Sequence, residues 1–209
     1  KIKKIKKKLN NFYSIGYNLR YHPVLIFLKK IVENKKIFSI KINSSSYLPE
    51  WRKIDYVKSV SSKKSLGGGV LLEMSHELDF LVWIFGKIKI ISAVNKKVSD
   101  LKINTDDLFI LNAEIKKRSI INLNINFFSK IIKREITVDG KDFNFYGDLI
   151  KNEIIFFKKN IKKKIKFSNF KMKKTYELQL QDFINKKNQN TCSFKEGMYL
   201  LSLIKKIKN

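Results

Sequence analysis

The chain has 209 residues, 44% of them apolar and 12% aromatic, with only 8 Gly and 2 Pro, a composition that folds and excludes disordered, collagen-like and low-complexity classes. One cysteine, Cys192, cannot close an internal disulfide or build a thiolate zinc cage, and no apolar run reaches the roughly 18 residues a membrane span requires. The formal charge of +27 invites a polyanion partner, but all of the 45 basic residues except Arg20, Arg52, Arg118 and Arg134 are Lys, and Ala occurs only at Ala93 and Ala113. Such a bias fits A- and T-rich coding better than phosphate recognition, which favours the planar Arg fork.

Lys1–Leu9 places Ile2, Ile5 and Leu9 at helical spacing among lysines, and Phe12–Tyr17 reads as a short strand. His22-Pro23 opens a helix to about Val32, with Pro in the first turn and His22 either capping or packing at its start. Phe38, Ile40 and Ile42 alternate as a half-buried strand, and Ser44–Leu66 reads as one long functional loop. Gly67-Gly68-Gly69 leads into a single helix over Val70–Phe85, stopped at Gly86. Seven strand-like runs follow: Lys87–Val94, Leu108–Ile115, Ser119–Phe128, Ile131–Val138, Phe143–Tyr146, Glu153–Phe157 and Ile161–Phe167. Asp139-Gly140, Tyr146-Gly147-Asp148 and Lys158–Asn160 are the turn signals between the later ones. Helices over Tyr176–Asn185 and Phe194–Ile207 close the chain. Strands in one block, with helices at either end, predict an α+β fold: an open, mostly antiparallel meandering sheet with helices packed on one face. No G-x-G-x-x-G and no G-x-x-x-x-G-K-[ST] occurs, so no nucleotide-phosphate loop is visible.

The chemistry concentrates in GGGVLLEMSHELDFLVWIFG, Gly67–Gly86. Three glycines before a helix start permit close backbone approach to a ligand, where free N–H groups favour an anion. On an unbroken helix Glu73, His76 and Asp79 follow at spacings of three and share one stripe. An imidazole between carboxylates suits proton transfer, and a neighbouring carboxylate raises its pKa from about 6.5. The same spacing also suits a partly buried helix with a surface His bonded to a neighbouring Glu. A second reading draws on Lys158–Lys166 and Lys171–Lys174, interleaved with Phe156, Phe157, Phe167 and Phe170: a basic, non-enzymatic module that binds RNA or another polyanion. The strand-like alternation of those aromatics makes core packing the simpler cause, so a nucleic-acid partner is disfavoured.

Three segments in order, GYNLRYHP (Gly16–Pro23), WRKIDYVKSVSS (Trp51–Ser62) and the glycine-led segment above, resemble successive motifs of the C-terminal domain of the glucose–fructose oxidoreductase, inositol dehydrogenase and rhizopine-catabolism (Gfo/Idh/MocA) family. Thr105-Asp106-Asp107 before a strand and the closing pair LQLQDFINKK and SFKEGMYLLSLIKKI fit the same pattern, so the resemblance runs from about Phe12 to the end.

The resemblance implies an oxidoreductase part that acts with NAD or NADP on a hydroxyl or ketone of a sugar, nucleotide sugar or cyclitol, and often a homo-oligomer formed through the open sheet face. It also implies an N-terminal Rossmann domain and a Glu-Lys-Pro lysine, neither of which this sequence contains. On that basis residues 1–17 are expected to be the last helix and strand of the missing domain, and 18–209 the substrate-binding and oligomerisation domain. The chain alone is then expected to bind no cofactor and to be inactive, and a cytoplasmic location is the default. A non-enzymatic remnant that keeps the fold without turnover is a third reading.

The family's helix His maps onto His76 as the catalytic proton carrier. Its usual carboxylate position, four residues earlier, is Leu72 here, which leaves Glu73 first and Asp79 second as the partner acid. Asn18 and Arg20 fall in the crossover motif, where they either touch substrate or lock the domain junction. Trp51, Arg52 and Tyr56 fall in the loop by the pocket, where they either stack on and bond a sugar or anchor the loop. No metal ligand set is expected.

Overall fold

The computed structural model describes residues 13–115, 119–159, 161–185, 187 and 189–208; the N-terminal helix expected over Lys1–Leu9 lies outside them. Strand β1 (Ser14–Ile15) leads into a 3-10 turn, Asn18–Tyr21, and then helix α1 (Pro23–Val32). After strand β2 (Ile37–Tyr47) come four short 3-10 turns between Leu48 and Leu66, then helices α2 (Val70–Glu73) and α3 (His76–Phe85). Seven strands follow: β3 (Ile88–Lys96), β4 (Leu108–Ile115), β5 (Ser119–Asn126), β6 (Phe128–Gly140), β7 (Phe143–Asp148), β8 (Glu153–Lys158) and β9 (Ile161–Lys166). Helix α4 (Lys173–Ile184), strand β10 (Cys192–Ser193) and helix α5 (Phe194–Lys208) end the chain.

Eight strands form one sheet in the order β3-β4-β5-β2-β6-β7-β8-β9. The fold is α+β, as the block of strands predicts, and every pair is antiparallel except β2 with β5, where Ser39 to Ser45 run alongside Ile120 to Asn126. The meander is therefore interrupted: β2 enters between β5 and β6. Strict alternation in β4 and β5 turns Phe109, Leu111, Ala113, Ile121, Leu123 and Ile125 into the core. The helices cover that face through Leu25 and Leu28 of α1 and Leu78 and Leu81 of α3, all fully buried. Each such side chain contributes about 1.5–3 kcal/mol by leaving water. The opposite face stays open. Its β3–β5 end carries a polar ladder, with Asn122 donating to Asn112 and Asn112 to Ser92, flanked by exposed Ile120 and Val94, and Phe157 stands exposed on β8.

Two element assignments change. The stretch read as a loop from Ser44 is strand up to Tyr47, because Ser44 and Ser45 keep pairing with Arg134 and Lys133 across β6. The single helix over Val70–Phe85 is two: the backbone leaves helical geometry at Met74 (φ −106°, ψ 31°), and α3 restarts at His76. Among the aromatics set between the lysine runs, Phe156 packs edge-on to Phe27, Phe167 lies against the core and Phe170 meets the His22 ring.

His22 caps α1, one of its two expected roles: Nδ1 accepts from the Val24 N–H, so Nε2 carries the proton toward the Leu149 carbonyl and Asn152 Oδ1, both at 3.1 Å. Burial pushes this imidazole down to about 4, against the upward pull of its Asn152 and Leu149 hydrogen bonds. The folded state thus holds it neutral. Its stabilising contribution is complete above pH 6.5, the ordinary value, and is lost as pH falls from there toward 4. The loss reaches about 3 kcal/mol. Thermal unfolding across that window should show a falling midpoint, with a flatter profile for His22→Gln. An equally steep profile in the variant would assign the loss to other groups.

Candidate functional site

A cleft of about 390 Å³ opens where the broken helix meets the end of β2 and the start of β6. One wall carries Glu73, Met74 and His76 from the α2–α3 junction; Ser44, Ser45 and Ser46 come from β2. Ile132, Lys133 and Arg134 of β6 also line the cleft, together with Asn18, Trp51, Met172 and Tyr176. Of the residues singled out in the sequence, Asn18, Trp51, Glu73 and His76 therefore meet at one cavity.

The break at Met74 sets the position of His76. It stands at the first residue of α3, with its ring edge-on to Tyr17 at 5.3 Å, and Tyr17 Oη lies 3.4 Å from Ser75 Oγ. Nδ1 of His76 is buried with no hydrogen-bond partner among the described residues. Burial lowers the pKa of this imidazole; Glu77 pulls it up and Arg134 pushes it down. The direction is opposite to the rise expected from a flanking carboxylate, because desolvation outweighs the charge of Glu77. At neutral pH the ring is an uncharged base.

The acid next to it plays a different part. Glu77 is fully buried, and its Oε1 accepts from Ser44 Oγ and from Arg134 Nε, each at 2.7 Å, while Oε2 has no partner among the described residues. Sequence reading gave no role to Glu77 or Arg134, and took Ser44–Ser46 as part of the functional loop. Arg134 carried a usable signal, as one of four Arg in a lysine-rich chain.

Arg20 and Asp79 stay out of the cleft. Each side chain is 1% exposed, and they meet in a two-pronged ion pair, Nη2 to Oδ1 at 2.7 Å and Nε to Oδ2 at 2.9 Å. Arg20 Nη1 also donates to the Thr191 carbonyl and to Glu196, and the guanidinium lies 5.6 Å from the Trp83 ring. Burial disfavours the cation, yet the Asp79 hydrogen bonds outweigh it and hold Arg20 protonated above its ordinary value. Asp79 is spoken for. Glu73 is the acid at the cavity.

The remaining loop residues divide. Trp51 lines the cleft and packs edge-on to Phe127 at 4.8 Å. Arg52 is exposed beside a separate shallow depression that it shares with Tyr56, whose hydroxyl accepts from the Lys102 N–H. Asn18 spends its amide on Thr175 Oγ1 at 2.6 Å.

The glycine run has another use than an anion cradle. Asp106 takes the free N–H groups at the start of α2, its carbonyl accepting from Val70 and its carboxylate from Leu71. Gly69 sits at φ +114°, where a Cβ would collide with the Asp106 carboxylate. Thr105 Oγ1 bonds the Ser61 carbonyl, and Asp107 accepts from Val98 and Ser99. Thr105-Asp106-Asp107 therefore ties the glycine turn and the preceding loop to the sheet. No group of metal-ligating side chains occurs among the described residues, and no helix among them is long and apolar enough to cross a membrane.

Solved structures with this fold include UDP-N-acetylglucosamine 3-dehydrogenase from Acidithiobacillus ferrooxidans, at 12% identity and TM-score 0.77 over 99% of this chain and 64% of that one. Levoglucosan dehydrogenase in complex with NADH superposes at 14% identity and TM-score 0.80, over 96% of this chain and 64% of that one. A super-repressor mutant of Gal80p from Saccharomyces cerevisiae matches at 12% identity and TM-score 0.83, covering 99% and 65%. The chain thus spans under two thirds of these proteins' length, and at such identities the likeness is one of fold. No curated protein sequence matches. The model of the GFO/IDH/MocA C-terminal domain aligns with residues 27–146, more than half of the chain, and the protein belongs to that oxidoreductase family.

Proposed function

We propose that this chain is the substrate-binding part of an NAD(P)-dependent oxidoreductase acting on a hydroxyl or ketone of a sugar, nucleotide sugar or cyclitol. The observation that carries the reading is an uncharged His76 lining, together with Glu73, a cavity of sugar size. His76 takes the proton of the reacting hydroxyl, or returns it in reverse, and Glu73 steadies the charge that forms. General acid–base assistance of this kind is worth roughly 10²–10⁴-fold. Trp51 offers an aromatic surface to the ring, and Ser46 Oγ, buried without a partner among the described residues, is a hydroxyl contact. Asn18 and Arg20 act as a lock on the surrounding turn rather than as substrate ligands, and Arg52 and Tyr56 as loop supports.

The residues present do not fit a dinucleotide. The one glycine-rich helix start is occupied by the Asp106 carboxylate, which would repel a pyrophosphate, and no strand-turn-helix fingerprint occurs. The chemistry this chain supplies is binding and proton transfer, and alone it is inactive. Self-association through the open sheet face and a cytoplasmic location belong to the same reading. The non-enzymatic reading stays distinct in its consequences, since a remnant without turnover has no reason to recognise a polyol.

NMR of the two imidazoles tests the proposal. In a titration with UDP-N-acetylglucosamine, levoglucosan and myo-inositol, at least one compound should shift the His76 ring signals and leave those of His22 in place. Silence of His76 toward all of them would overturn it, as would tight stoichiometric binding of NADH to this chain.

A further inference from the structure

If the cleft is the polyol site proposed above, its β6 lining bears on which sugar derivatives enter it. Arg134 is about a quarter exposed there, while the carboxylate that holds it is fully enclosed. Glu77 accepts through one oxygen from both Arg134 Nε and Ser44 Oγ, which anchors the guanidinium by its inner corner. Nε is the inner corner of the fork; among the described residues no side-chain bond engages Nη1 or Nη2. A planar donor pair anchored from behind is the form that binds carboxylate or phosphate oxygens two at a time. Lys133, the preceding residue, also lines the cavity. Glu73 and His76, from α2 and α3, line the same cavity, so an acid, a base and a cationic fork from separate elements share one cleft. A neutral polyol would leave the Arg134 fork facing water.

We infer that the cleft selects a sugar bearing an anionic group, a carboxylate or a phosphate ester, with Arg134 as the specificity-determining residue and Glu77 as the group that positions it; this selectivity rests on the proposed polyol site. The ring then lies between Trp51 and His76, and the anion meets β6. Ser44 and Glu77 matter through Arg134 rather than by touching the ligand.

Matched ligands test this on the intact chain at an ionic strength high enough to screen the surface lysines. Affinity is read from the His76 ring shift for glucuronate against glucose, and for UDP-N-acetylglucosamine against N-acetylglucosamine. The anionic member of at least one pair should bind tenfold or more tightly, and the pair that discriminates tells carboxylate from phosphate. In Arg134→Met/Glu77→Gln, a double variant that leaves no buried unpaired carboxylate, discrimination should vanish, the anionic member then binding no more tightly than its neutral partner. Equal affinities within both pairs of the wild-type chain, with His76 responding, would overturn the anionic preference and leave the polyol site standing. Discrimination that survives in the folded double variant would overturn the role of Arg134. A His76 ring silent to all four ligands would remove the site itself.

Discussion

Asp79→Ala is expected to destabilise the protein by about 3–5 kcal/mol, because it strands the Arg20 guanidinium in the core without its carboxylate. Glu196, 37% exposed, stays within reach at 2.8 Å but bonds a different nitrogen and cannot replace a two-pronged contact. Urea unfolding reads the change as a shift in midpoint at an unchanged slope. Replacing both partners at once, Arg20→Met with Asp79→Leu, should cost clearly less than Asp79→Ala alone, since no buried charge is then left unmatched. A loss below about 1 kcal/mol in Asp79→Ala would mean that the pair adds nothing the surrounding packing does not already supply.

Gly69→Ala is the second large effect. At φ +114° an L side chain is strained by about 1–3 kcal/mol, and its Cβ displaces the Asp106 carboxylate that caps α2, a further loss of about 1 kcal/mol. The glycine run as anion cradle predicts weakened ligand binding at unchanged stability. The observed geometry predicts the reverse: unfolding at lower denaturant, with phosphate affinity untouched. Measuring both quantities on one variant separates the two.

How much of the fold and the cleft was legible in the sequence depends on the range of the interactions. β4 and β5 were readable because one face of the sheet is covered and the other bare, which writes alternation directly into the residues. The His22-Pro23 start of α1 was equally plain, since capping is settled within three residues. The break after Glu73 was not, because neither Met74 nor Ser75 is a helix breaker and the interruption comes with a contact from Ser75 to the distant Tyr17. The same limit applied at the cleft. Glu73 and His76 were found because they are neighbours in sequence. Arg134 reaches Glu77 across 57 positions and Arg20 reaches Asp79 across 59, separations at which periodicity says nothing. Asp79 shows the cost: it keeps its helical spacing from His76 within α3, yet its carboxylate is taken up by Arg20 in the core.

The insertion of β2 between β5 and β6 has a consequence for how the chain is made. Its neighbours lie at Ser119–Asn126 and Phe128–Gly140, about seventy residues downstream of Tyr47. A ribosome adding about 5–20 residues per second exposes that segment for several seconds before either partner exists. Ile40 and Ile42 spend that interval without a sheet to enter. Translation speed and chaperone supply, more than final stability, should therefore govern the yield of correctly assembled molecules in a cell.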